Sequence, residues 1–314
     1  KWQGKCSSCG EWNSLKEFKS SLSSKTGSPP AEVFFLDKIK TAHYQRMSSK
    51  IKEFDRVLGG GIMPGSIMIL GGDPGIGKST LLLQIATKLD NVLYISGEES
   101  LEQIKLRFDR LELKSSKTKI VSEIDLDKII STVQKEKPKI VIVDSIQTVY
   151  SSNYPSTPGS IVQVRECALK LQQLAKTTTT AVILVGHVTK EGTVAGPRTL
   201  EHLVDIVLYL EGERFHQNRI LRAVKNRYGA TDEIGIFEMG QNGLTEVSNP
   251  SKLFLAERLK NAPGTVVTAS VEGSRSLLVE VQALTAASIF GYPQRRVSGF
   301  DLNRLQLIVA VLQK

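Results

Sequence analysis

Residues Gly72-Asp73-Pro74-Gly75-Ile76-Gly77-Lys78-Ser79 satisfy the pattern G-x-x-x-x-G-K-[ST] at every defined position. The apolar run Ile67-Met68-Ile69-Leu70 precedes them, and a helix-compatible stretch from Thr80 to Leu89 follows. Strand, glycine-rich loop and helix in that order form the setting in which this pattern cradles phosphate. The glycines let consecutive backbone N–H groups converge into a nest, and the next helix presents free N–H groups at the positive end of its dipole. A plain glycine turn is the competing explanation, but a turn has no use for Lys-Ser at its exit. Gly72 to Thr80 are therefore the expected nucleotide-binding residues. Lys78 is expected to reach the β- and γ-phosphates of ATP or ADP, and Ser79 to ligate Mg²⁺.

The pattern around this loop alternates. Strand-like runs occur at 66–70, 92–96, 119–121, 139–143, 181–186, 204–210, 219–224 and 233–238, with helix-like stretches at 78–89, 100–111, 126–135 and 160–176. Such alternation predicts an α/β domain with a mostly parallel sheet and late hairpin strands added at one side. The continuous apolar run Ile140-Val141-Ile142-Val143 suits a sheet covered on both faces. Residues 1–19 hold the pair Cys6-Ser7-Ser8-Cys9, and 20–44 open as a Ser/Gly/Pro-rich linker. The alternating domain is expected over 45–247. Asn249-Pro250 breaks its pattern, and 248–314 reads as a further, partial domain with strands near 265–271 and 276–284 and a helix from about 301. There are no internal repeats.

Composition narrows the class. Of 314 residues, 40% are hydrophobic and 23% charged, as in an ordinary globular protein, and no apolar run approaches the length of a membrane span. Three cysteines make no disulfide framework and there is no secretory signal, so a cytoplasmic location without a membrane partner is expected. The net charge of +9 favours a polyanionic partner, although a solvated basic surface would give the same sum.

Four further constellations carry chemistry. Asp144 closes the run 140–143, where a carboxylate after a phosphate loop supports Mg²⁺ or Ser79. Glu98 and Glu99 follow the run Val92–Ser96 at the sheet end where ligands bind, so one can activate water while the other sits in the first turn of the next helix. His187 ends the run 181–186, placed to sense a γ-phosphate or to serve structurally, and the loop after it carries Lys190 and Arg198. Lys225 and Arg227, in Lys225-Asn226-Arg227-Tyr228-Gly229, follow a late strand at the far edge of the sheet. They are poorly placed for their own phosphate loop and well placed to reach a neighbour's nucleotide. A solvated basic turn is the plainer reading.

Together the phosphate loop, Gly97-Glu98-Glu99-Ser100, Asp144-Ser145 and Lys225-Asn226-Arg227-Tyr228-Gly229 resemble the bacterial RadA (Sms) family of RecA-related DNA repair proteins. Trp2-Gln3-Gly4-Lys5-Cys6-Ser7-Ser8-Cys9 is similar to its zinc finger. The resemblance implies a RecA-like P-loop ATPase core flanked by an N-terminal half zinc finger and a truncated C-terminal Lon-protease-like α+β domain. It implies a hexameric ring that is stimulated by single-stranded and branched DNA, drives branch migration in homologous recombination and works with the RecA recombinase. In that frame Glu98 is the water-activating carboxylate and Asp144 the Walker B acid. His187 is the γ-phosphate sensor, and Lys225 and Arg227 complete the neighbour's site. DNA would meet Lys190, Arg198, Lys225 and Arg227 and two loops near 150–160 and 188–198.

Two departures stand out. Zinc takes four ligands, and only Cys6 and Cys9 are at hand, since Cys167 falls in the apolar pattern of a helix. Either another pair lies upstream of residue 1 or zinc is not bound. The C-terminal domain is cut short, and no protease activity is expected of it. An ATP-switched DNA-binding scaffold without translocation remains the alternative to a motor. A KaiC-like regulatory ATPase without DNA fits the charge and the Lys-Asn-Arg motif less well.

Overall fold

Four five-residue runs carry no charge before their last position, and every residue in them is buried: β1 (Ile67–Gly71), β2 (Val92–Ser96), β4 (Ile140–Asp144) and β5 (Ala181–Val185). Runs of this kind are stable only with helices on both faces. With β3 (Thr118–Ser122), β6 (Ile206–Glu211), β7 (Asn218–Asn226), β8 (Ile234–Gly240) and β9 (Gly243–Glu246) they form one nine-stranded sheet, ordered β3-β2-β4-β5-β1-β6-β7-β8-β9. Pairing is parallel from β3 to β6 and antiparallel from there to β9. This computed structural model describes residues 33, 35–38, 45–114, 117–187, 197–212, 217–256, 258, 262–287, 291–292 and 294–313. The chain divides into two compact units, 1–43 and 44–314. In the first, the described structure is a 3-10 turn, Leu36–Lys38. Cys6, Cys9 and Lys190 lie outside the described residues.

The period of two along each strand separates two cores. Met68, Leu70, Tyr94, Ile142 and Ile183 face α1 (Lys52–Val57), α2 (Lys78–Lys88) and Ile104 of α3 (Leu101–Arg110). Ile67, Ile69, Leu93, Val143 and Leu184 face α4 (Leu126–Glu136) and α5 (Ile161–Thr178). Cys167 is fully buried in the second core, as its place in the helical pattern predicts. The four-residue helix α6 (Pro197–Leu200) leads into β6.

Four features depart from expectation. The six-residue α1 and the four-residue β9 are too short to show a period, and β9 is defined by its pairing with β8. Asn249-Pro250 starts a helix: Asn249 caps α7 (Pro250–Phe254) by accepting from the Lys252 N–H, with Pro250 at the first helical position. The glutamates after β2 precede their helix, because Ser100 forms a capping box with Gln103 and α3 begins at Leu101.

Residues 265–282 form an antiparallel hairpin of β10 (Thr265–Glu272) and β11 (Arg275–Gln282), and α8 (Leu302–Leu312) follows. The hairpin is held to α1 by a two-pronged ion pair. Arg275 donates from Nη1 to Glu53 Oε2 at 2.7 Å and from Nη2 to Oε1 at 2.9 Å. Glu53 is 4% exposed and also accepts from the Ile236 N–H. Beside the pair, Leu277 packs on Ile234 and Ile236. Replacing one partner of a buried pair leaves the other charge uncompensated. Arg275→Met is therefore expected to lower the unfolding free energy by about 3 kcal/mol in urea titrations, with loss of amide protection across β10 and β11 in hydrogen exchange.

Candidate nucleotide-binding site

Strand order reverses between β2 and β4: the chain runs from β2 outward to β3 and from β4 the other way to β5. The connecting helices α3 and α5 lie on opposite faces of the sheet. Sheets of this type leave a crevice at the carboxyl ends of the two strands where the order reverses. Glu98 follows β2, Asp144 ends β4, His187 follows β5, and the phosphate loop after β1 completes the same end of the sheet.

The loop from Gly72 to Gly77 leads into α2, whose N-cap is Gly77 at φ 115°. That backbone conformation disfavours any side chain, and a Cβ at Gly77 would also stand 2.5 Å from Met239 Cε. At Gly75 a Cβ would meet nothing within 4 Å, so this side of the loop is open. Lys78 is 3% exposed, and its Nζ donates to the carbonyls of Gly72 at 2.7 Å and Asp73 at 2.9 Å. Burial draws its pKa down to about 8 against the attraction of Asp144, Asp73 and Glu98. Among the described residues no carboxylate lies within ion-pair distance of Lys78. A buried cation without an anion, at the start of a helix and beside open space, fits a phosphate group. Beyond it, Thr80, Arg110, Glu112 and the β8–β9 turn, Gly240 to Gly243, line a cavity of about 580 Å³.

The acidic residues separate by role. Glu98 Oε1 accepts from Ser145 Oγ and from His187 Nε2, the latter at 3.1 Å. The His187 hydrogen bond, then that of Ser145, then the charges of His187 and Lys78 hold the Glu98 pKa at about 2, so the carboxylate stays ionised. Glu99 instead pairs with Arg107 of α3, and its carbonyl accepts from Ser96 Oγ. Asp144, 6% exposed, accepts from the hydroxyl of Tyr94, which burial and the neighbouring Asp144 keep protonated. Gly97 is demanded by close packing, since a Cβ there would lie 1.9 Å from Thr148 Oγ1.

Other expected residues lie elsewhere. Lys225 and Arg227 are not at the sheet's edge, because β8 and β9 continue it beyond β7. Lys225 Nζ donates to the carbonyls of Glu201 at 2.6 Å and Val204 at 2.8 Å. Arg227 pairs at 3.1 Å with Asp205, whose other oxygen accepts from the Ile67 N–H at the start of β1. Both cations therefore sit at the opposite end of β1 from the phosphate loop of their own chain, about 17 Å away for a five-residue strand. The side chain of Arg198 lies outside what is described. The loop near 150–160 is folded around a buried side chain: Gln163 Nε2 donates to the carbonyls of Ser151, Tyr154 and Ser156, and Oε1 accepts from the Ser151 N–H. Reading the sequence missed Gln163, Tyr94 and Ser145. It also missed Arg219 of β7, 7% exposed, whose Nε donates to the Ile76 carbonyl inside the phosphate loop. Only Ser145 sits in a motif, Asp144-Ser145, where it reads as part of the strand end with no role of its own.

The lowered Lys78 pKa sets a pH dependence. Affinity for ADP is expected to hold below about pH 8 and to fall as pH rises through that value, where the ammonium loses the charge that attracts phosphate. Lys78→Arg, which stays protonated, is expected to flatten the fall. Calorimetric titrations on either side of that pH check both.

A family model described as an AAA domain matches residues 38–193. The DNA repair protein RadA of Bacillus subtilis is 51% identical over 326 residues, covering 100% of this chain and 71% of the relative. That of Listeria monocytogenes is 50% identical over 323 residues with the same coverage. Among solved structures, a KaiC-like protein from Pyrococcus horikoshii superposes with a TM-score of 0.53 at 22% identity, over 65% of this chain and 99% of that one. The RadB recombinase does so at 0.50 and 22%, over 64% and 99%. The structural likenesses speak to the fold, a RecA-like α/β core, and the sequence relatives to lineage. Sharing half its residues with them from end to end, the chain belongs to the RadA family of DNA repair proteins, which are P-loop ATPases.

Proposed function

We propose that this protein is a DNA-stimulated ATPase that drives branch migration in homologous recombination alongside the RecA recombinase, as a ring of identical subunits, hexameric by family resemblance. The observation that carries the reading is the convergence of Lys78, Asp144, Glu98 and His187 at one end of the sheet, while Lys225 and Arg227 of the same chain stand at the other. A site so divided is completed by a second subunit.

Within it, Gly72 to Thr80 and Lys78 hold the phosphates, and the base has room in the cavity beside Thr80. Ser79 and Asp144 would hold Mg²⁺, which when bound neutralises phosphate charge. Glu98, ionised and free at Oε2, takes the proton of the attacking water. His187, hydrogen-bonded to Glu98, reports that event to the loop 188–198, which with 150–160 meets DNA through Lys190 and Arg198. The names of the relatives and the net charge of +9 support a nucleic-acid partner. The antiparallel hairpin of 265–282 is compatible with part of a Lon-protease-like domain, and 1–19 with half a zinc finger, which requires a second cysteine pair.

The test is ATP-dependent strand displacement on a three-stranded junction, measured with ATP turnover with and without DNA. Assembly on DNA that ADP reverses, without displacement, would favour the scaffold instead. Glu98→Gln is expected to lower turnover at least about 100-fold with nucleotide binding retained, and Glu99→Gln, committed to Arg107, to leave it near wild type. Lys225→Ala or Arg227→Ala mixed with Lys78→Ala is expected to regain part of the lost ATPase activity. Inactive mixtures with proven subunit exchange would refute completion by a neighbour.

A further inference from the structure

Tyr94 and Ser145 lie outside the phosphate loop and have no role in the reading above. Yet each is fully buried and spends its hydroxyl on one of the two site carboxylates. In the parallel register of β2 and β4, Tyr94 stands beside Ile142 and Ser96 beside Asp144. The period of two places Asp144 on the face of Tyr94 and Ile142, so the phenol leans along the strand to reach it. The second bond runs the other way across the same seam: Ser145, after β4, donates to Glu98, after β2. A backbone bond from the Gly97 N–H to the Asp144 carbonyl, 2.8 Å, joins the same two segments.

Packing explains neither hydroxyl. The Tyr94 ring lies among Met68, Ile142 and Ile183 in a core that phenylalanine would fill as well. A buried hydroxyl is costly unless bonded, so its presence points to its partner. A neutral donor has a further property that lysine or arginine would lack there: it orients a carboxylate without cancelling its charge.

We infer that Tyr94 and Ser145 are positioning residues that cross-brace the reaction's two carboxylates. Tyr94 fixes Oδ2 of Asp144 and leaves Oδ1 to support Mg²⁺ when bound, and Ser145 fixes Oε1 of Glu98 and leaves Oε2 for the water. The inference rests on the roles given above to Asp144 and Glu98, and the two can fail separately.

The experiment titrates MgCl₂ into full-length protein with a fluorescent ADP analogue and measures ATP turnover in parallel. Asp144→Asn and Glu98→Gln serve as references. Tyr94→Phe is expected to raise the Mg²⁺ midpoint of nucleotide binding about tenfold, to leave binding in EDTA unchanged, and to add nothing on top of Asp144→Asn. Ser145→Ala is expected to lower kcat about tenfold, with KM and the Mg²⁺ midpoint unchanged, and to add nothing to Glu98→Gln. A Tyr94→Phe midpoint equal to wild type, where Asp144→Asn shifts it, overturns the inference and leaves the roles of the carboxylates standing. An Asp144→Asn midpoint equal to wild type overturns both. Should Tyr94→Phe fail to fold, the Ser145→Ala arm decides: an unchanged kcat, where Glu98→Gln lowers it, is fatal.

Discussion

Parallel pairing of β2 with β4 joins two strands whose chains leave in opposite directions and on opposite faces of the sheet. The helices that follow the two strands, α3 and α5, leave on opposite faces, and this opens a crevice at the strands' carboxyl ends. The side chains that follow each strand face one another across it. Glu98 and Asp144 come from segments some fifty residues apart, and this seam alone makes them neighbours. Were β2 to slip by one residue against β4, every side chain of β2 would exchange faces, and Tyr94 would leave Asp144.

Charge is managed at this seam by burial and by neutral donors. Lys78 is held out of water on two carbonyl oxygens, which lowers its pKa to about 8 and favours an anionic partner. Glu98 experiences the opposite influence: His187, Ser145 and Lys78 together hold its pKa down to about 2, so it is ionised near neutral pH. Glu99, one residue on, is neutralised by Arg107 and anchors the entry to α3. Adjacent glutamates thus separate into a group facing the crevice and a structural one because only the first stands near Ser145 and His187.

At the other end of the sheet, the Lys-Asn-Arg-Tyr-Gly segment is tied into its own chain. Lys225 closes the turn at 201–204, Arg227 neutralises a buried Asp205, and Asn226 Oδ1 accepts from the Tyr228 N–H. The turn closed by Lys225 lies in the connection from β5 to β6. The C-terminal hairpin is similarly tied to α1 through Glu53, which ties it to the sheet by way of the Ile236 N–H as well.

What the sequence by itself determined is local. The phosphate loop, the buried strands and the long helices are legible because glycine patterns and apolar periods act within a few residues, and the structure meets them to within a residue or two. Cys167 is where its helical spacing puts it. Tertiary structure decided whatever depends on partners far along the chain. Tyr94 reads as a strand aromatic until β4 is placed beside it, and Gln163 as a helix polar residue until four bonds to 151–156 are seen. Arg219 gives no sign of the phosphate loop until β7 is threaded into the sheet. The edge position expected of Lys225 failed because the order of strands in a sheet is not written in their periods: the expected run at 233–238 pairs beside β7 as β8 and covers it. A hydroxyl or guanidinium has no period and no required neighbour in sequence. Its meaning is set by the buried acceptor that the fold delivers to it.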